Sequence, residues 1–145
     1  MNKLEFSITG TPVAQARPRV TRNGTFKPEK TRKHENHITS VARMELNVLG
    51  FPAPFTDRAV KLEVDFFMPV PKSWPKWRKK KAHEGQLVPE TKPDLDNLVK
   101  LVKDALNGYA FRDDSQIVEI AAVQHYAPRH NNPWTDVVVK EVSYG

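Results

Sequence analysis

Apolar and polar positions alternate along Leu4-Glu5-Phe6-Ser7-Ile8, the period of a strand with one face in a core and the other in water. The same alternation over Val60-Lys61-Leu62-Glu63-Val64-Asp65-Phe66 predicts the clearest strand, closed by Pro69 and Pro71. Between them the period changes. Ile38, Val41, Ala42, Val48 and Leu49 recur at helical spacing, with Glu45 the exception on that face, and predict a helix from Pro28-Glu29 to about Val48. Proline suits a first helical turn because its missing amide has no partner there, and Gly50-Phe51-Pro52 supplies the stop. Leu95, Leu98, Val99, Val102, Ala105 and Leu106 mark another helix, ended by Asn107-Gly108. Two more strands are predicted, Ile117 to Tyr126 and Thr135 to Val142, the second pairing antiparallel with the first. Asn23-Gly24 marks a tight turn in a small hairpin, and residues 72–85 form either a short helix or a mobile loop. The order is β-α-β-α-β-β: an α/β single domain over residues 1–145 with one mixed sheet and helices laid on it.

Composition narrows the class. Hydrophobic residues make up 39% and charged residues 28% of the 145, which suits one ordinary globular domain. No apolar run approaches membrane-spanning length, and the first residues lack the apolar stretch of a signal peptide. There is no cysteine, which excludes disulfides and thiolate metal sites and fits a cytoplasmic location. The formal net charge of +6 points to a polyanionic partner, nucleic acid first among them. That charge is concentrated in two segments. One carries Arg17, Arg19, Arg22, Lys27, Lys30, Arg32 and Lys33 against the single acid Glu29. The other carries Lys72, Lys76, Arg78, Lys79, Lys80 and Lys81, interleaved with Trp74 and Trp77. Arg17, Arg19, Arg22, Lys72, Lys76, Lys79 and Lys80 are the expected phosphate contacts; a merely solvated surface is the alternative. The two tryptophans can stack on unpaired bases, pack in the core, or form a dimer contact.

The chemistry lies in the acids. In Lys92-Pro93-Asp94-Leu95-Asp96-Asn97-Leu98-Val99-Lys100, Asp94 occupies the N-cap position of the later helix, with its side chain near the free amides of the first turn. Asp96 projects away from the core, and Lys100 lies one turn beyond it on the same face. Taken alone, this reads first as an ordinary cap and an ordinary (i, i+4) ion pair. It is not a calcium loop, because Leu98 and Val99 stand where that motif needs a third oxygen ligand and glycine. A second acidic pair changes the balance. The helix is about 20 Å long at 1.5 Å per residue, and six or seven extended residues beyond it reach back that far. Asp113-Asp114 can therefore return to the helix start and open the next strand there. Carboxylates packed together repel, and a hard divalent cation relieves that conflict; an all-oxygen set selects Mg²⁺ or Mn²⁺. Asp94, Asp96, Asp114 and Asp113 are the candidate metal ligands. No glycine-rich phosphate loop and no serine nucleophile elbow is present.

Asp94-Leu95-Asp96-Asn97-Leu98-Val99-Lys100, then Lys103-Asp104-Ala105-Leu106-Asn107-Gly108, then Asp113-Asp114-Ser115-Gln116-Ile117 resembles the RusA family of Holliday-junction resolvases. Ala16-Arg17-Pro18-Arg19 with its following Asn-Gly turn also resembles members of that family. The resemblance implies a RusA-like fold and a catalytic set at Asp94, Asp96, Lys100 and Asp114. It further implies Mg²⁺ dependence, action as a homodimer, four-way junction DNA as substrate in recombination and repair, and frequent carriage by prophages. The proline- and lysine-rich stretch around Pro69 to Pro89 departs from the family pattern. Two other functions remain open on sequence alone: a DNA-binding protein without catalysis, and a metal nuclease acting on other branched DNA.

Overall fold

The structure, a computed structural model, describes residues 2–17 and 19–143. Pro18 and the side chain of Arg19 lie outside the described residues. In chain order the elements are β1 (Lys3–Thr9), β2 (Arg19–Thr21), β3 (Gly24–Phe26), α1 (Glu29–Leu49), β4 (Val60–Met68), α2 (Lys76–His83), α3 (Leu95–Leu106), a 3₁₀ turn (Asp114–Gln116), β5 (Ile117–Tyr126) and β6 (Trp134–Glu141). The expected α/β domain with a mixed sheet is therefore the observed one. Residues 72–85 contain the helix α2, and Asn23-Gly24 turns the β2–β3 hairpin.

Val60, Leu62, Val64, Phe66 and Met68 of β4 face the core, as the alternation requires. Leu4, Phe6 and Ile8 of β1 and Thr135, Val137 and Val139 of β6 line up beside them. Over this face lie α1 and α3. From α3 the core takes Leu98, Val99, Leu101, Val102, Ala105 and Leu106, and burying each leucine or valine contributes about 1.5–3 kcal/mol. From α1 it takes Ile38, Ala42 and Leu46, one stripe at four-residue spacing. Val48 and Leu49, expected on that stripe, are exposed. The helix ends at Gly50, whose φ of 79° lets its amide and that of Phe51 turn back to the carbonyls of Asn47 and Leu46. Val48 lies two residues past Leu46, about 200° around the helix axis and so off the buried stripe, and Leu49 is the last helical residue.

The strand order is β1-β6-β4-β5. Here one expectation is corrected: β5 and β6 do not pair. β4 lies between them, parallel to β5 and antiparallel to β6. Sequential strands usually pair, but the connection over residues 127–133 is long enough to step over one strand, roughly 10 Å. β4 buries every second side chain while β5 stays largely exposed, so β4 takes the inner place beside β6 and β5 the edge. The parallel pairing of β4 and β5 needs a long crossover, and α2 and α3 lie within it. This topology sets α3 beside the edge strand β5, with a cleft between them.

Candidate active site

α3 starts where Asp94 leaves extended geometry, its carbonyl accepting the amides of Asn97 and Leu98 at 3.1 Å each. The Asp94 side chain makes no capping hydrogen bond, contrary to the expectation from its position. Its carboxylate is exposed. Asp96 and Lys100 follow on the solvent side of α3, and no ion pair joins them among the described residues. Neither ordinary use of these acids, as a cap or as a helix-surface pair, is realised.

The face carrying Asp96 and Lys100 forms one wall of a cleft of about 580 Å³. Leu95, Val99, Ile120 and Ala122 give it an apolar floor; Asp96, Lys100, Lys103, Asp104 and Asp114 give it charged walls. Asp94 lines an adjoining cleft with Glu90, Pro93 and Gln124, and Asp96 borders both. Asp96, Lys100 and Asp114 thus line one cleft, and Asp94 lines the one adjoining it.

Asp114 reaches the cleft through the 3₁₀ turn before β5, not as the first residue of the strand. Gln116 holds that turn. Its Oε1 accepts the amides of Arg112 (2.7 Å) and Asp113 (3.1 Å), and its Nε2 donates to the carbonyls of Thr56 (3.1 Å) and Arg58 (2.9 Å). The Asp113 carboxylate accepts the Ser115 amide at 3.0 Å, closing a capping box with Gln116. Hydrogen bonds from the Ser115 side chain and amide hold Asp113 below the usual carboxylate range. Asp113 does not line the cleft, and its side chain is committed to the turn. Lys103 Nζ stands 4.0 Å from Asp114 Oδ2 and partly offsets its charge.

Three participants were not singled out from the sequence. Lys103 and Asp104 fall three and four residues after Lys100, so helical period alone could have found them. Gln15 carries no such signal. Its amide donates to the Asn97 carbonyl at 2.8 Å and its Nε2 to Asp104 at 2.6 Å, a contact across 89 positions of sequence. This pins the first basic segment to α3 just before Arg17, which is exposed, as is Arg22 in the hairpin. In the second segment Lys72, Lys76 and Lys80 are exposed and Lys79 is half-buried.

The donors at this site are hard carboxylate oxygens, the chemistry a Mg²⁺ or Mn²⁺ ion selects, and neither Asp94 nor Asp96 is spent on a structural hydrogen bond or ion pair. Buried beside Asp94, Gln124 Oε1 is an oxygen without a hydrogen-bond partner. Among the described residues, no three His, Asp or Glu side chains are grouped closely enough to share one ion, so the acids form an open set. No helix is long and apolar enough to cross a membrane among the described residues.

Comparison with known proteins identifies the family. A family model described as "Endodeoxyribonuclease RusA" matches residues 9–140. A protein of Bacillus subtilis (strain 168), described as "Uncharacterized protein YqaN", is 38% identical over 149 residues, spanning 99% of each chain. The family model covers most of the chain, and the chain belongs to the RusA family of endodeoxyribonucleases.

Proposed function

We propose that this protein is a divalent-metal-dependent endonuclease that resolves four-way DNA junctions by paired nicks, acting in recombination and repair. The observation that carries the reading is the convergence of Asp96, Lys100 and Asp114 on one cleft, beside Asp94, in a family of DNA endonucleases. Acids that line a DNA-facing cleft in a protein of net charge +6 repel phosphate unless a cation joins them, which disfavours a purely binding role. Asp94, Asp96 and Asp114 would supply the carboxylates for one or two Mg²⁺ ions, with Mn²⁺ as substitute. Asp113 is left out because its carboxylate is held in the turn. When bound, the metal supplies a water of lowered pKa and charge neutralisation at the phosphate.

The protein's own groups do the rest. Lys100 donates to a non-bridging oxygen of the scissile phosphate and stabilises the charge that grows there. Lys103 holds Asp114 toward the cleft. Arg17, Arg22, Lys72, Lys76 and Lys80 grip flanking phosphates and keep the backbone in register. The described residues form one such cleft, and a junction with two-fold symmetry needs two matched cuts, so a C₂ homodimer is the working unit. A monomer in sedimentation at working concentration would remove that element of the proposal.

The test incubates the protein with a synthetic four-way junction, a flap and a linear duplex, with and without Mg²⁺, beside Asp96→Asn. Paired symmetric nicks leaving 5′-phosphates, seen only for wild type with metal and only on the junction, are expected. Tight junction binding without cutting would sink the catalytic reading, and full cleavage by Asp96→Asn would sink the site.

A further inference from the structure

The two tryptophans of the second basic segment have different surroundings. Trp74 is engaged on two sides: its ring meets Tyr126 edge-on at 5.4 Å, and the Arg78 guanidinium lies 3.8 Å over it. Trp77 is 64% exposed. Its one ring contact among the described residues is with the Lys81 ammonium, 5.7 Å from the centroid. Tryptophan is normally well buried, and leaving most of an indole in water forgoes the burial that usually justifies it.

The setting of that ring points to a ligand. α2 contains no acid, and Lys76, Lys80 and Lys81 beside Trp77 are all exposed. A flat aromatic surface within a field of positive charge is the combination that holds single-stranded nucleic acid: the cations follow the backbone and the ring stacks on a base. The helix is also anchored. Ala82 is fully buried, His83 Nδ1 donates to the Ala127 carbonyl at 2.8 Å, and the Arg78–Trp74–Tyr126 stack ties the N-terminal side to the end of β5. A ring presented on an anchored helix loses little freedom on binding.

Ala122 of β5 lines the acidic cleft, and Tyr126 of the same strand meets Trp74. Four strand residues span about 13 Å, the rise of roughly four stacked bases at about 3.4 Å each. One DNA molecule can therefore occupy the cleft and reach α2.

We propose that Trp77 is a base-stacking platform that engages an unpaired base at the branch point, making α2 the element that distinguishes branched from continuous DNA. The inference rests on the proposed function for the identity of the branched substrate; the stacking itself is tested separately. Binding is measured without divalent metal for a four-way junction carrying 2-aminopurine at the crossover, a linear duplex and a single-stranded oligonucleotide, using wild type, Trp77→Ala and Trp77→Phe. Trp77→Ala is expected to melt like wild type, because the side chain is exposed. It loses about tenfold or more in affinity for junction and single strand, keeps its duplex affinity, and abolishes the 2-aminopurine change. Trp77→Phe keeps most of the affinity.

Unchanged binding of all three DNAs by Trp77→Ala overturns the inference, and so does an equal loss on duplex. A shift of Trp77→Ala from dimer to monomer on a sizing column overturns it too, by assigning the ring to a subunit contact. If wild type neither prefers nor cuts the junction, the proposed function falls, and the single-strand arm still decides whether Trp77 stacks. If wild type resolves junctions while Trp77→Ala binds unchanged, only this inference falls.

Discussion

Gln116→Ala separates the positioning of Asp114 from the chemistry Asp114 performs. The side chain makes four hydrogen bonds to backbone groups at 2.7–3.1 Å, two to the turn that carries Asp114 and two to the strand-leading segment at Thr56 and Arg58. Each such bond contributes about 1 kcal/mol net, and the site is partly open, so water replaces roughly half of what is lost. The expected destabilisation is about 2 kcal/mol, which in a chain of this size lowers Tm by roughly 6 °C to 7 °C. Catalysis should fall further than stability explains. With the turn untethered, Asp114 drifts, and a displacement near 1 Å can cost on the order of a hundredfold in rate. Single-turnover cleavage at a temperature where both proteins are fully folded should show kcat reduced between tenfold and a hundredfold. KM for DNA should be nearly unchanged, since the basic segments are untouched. Gln116→Glu should be no better, because a carboxylate cannot donate to the two carbonyls. Wild-type kcat and Tm in Gln116→Ala would refute the argument that this side chain holds the acidic turn in place.

Three further outcomes follow from the same structure. Thr135 is buried and its hydroxyl has no hydrogen-bond partner, so Thr135→Val should raise Tm by a few degrees in calorimetry, and a fall would mean the hydroxyl is satisfied in solution. Burial alone would raise the pKa of Glu63, but hydrogen bonds and charge from Lys140 (3.2 Å) and Lys61 (3.4 Å) outweigh it and hold the carboxyl below its ordinary 4.5. The unfolded state then binds the extra proton first, so this stability is present above pH 4.5 and is lost as pH falls through the lowered folded value; Glu63→Gln should flatten the acid limb of a Tm-against-pH curve, and an unaltered limb would contradict the pairing. Removing a phosphate-gripping lysine, as in Lys76→Ala, should weaken junction and duplex binding alike and lower the slope of log K against log salt by about one, whereas an unchanged slope would place Lys76 off the DNA.

The fold is legible in the sequence where one local pattern decides an element. The alternation in Val60–Met68 and the helical spacing in Leu95–Leu106 are consequences of which face must leave water, and both elements appear where the pattern put them. Local chemistry also identified the acids: Asp94, Asp96 and the 113–114 pair stood out because acids at a helix start and after a turn, in a basic chain, ask for a reason. What local pattern could not decide was competition between distant parts. Whether β6 pairs with β5 or with β4 depends on which strand buries its face best, a comparison across the whole sheet. Whether Asp113 or Asp114 reaches the cleft depends on Gln116 gripping carbonyls at Thr56 and Arg58, about 60 positions earlier.

The sequence by itself determined the class of domain, the placement of most elements, the acidic motif and the family. Only the tertiary structure decided that Asp96, Lys100 and Asp114 share a cleft with Lys103 and Asp104, that Gln15 fastens the first basic segment to α3, and that Trp74 is packed while Trp77 is exposed. The physical reason is range. Hydrophobic period and capping act over one or two turns and can be read along the chain, whereas a cleft is made by residues whose separation in sequence carries no information about their distance in space.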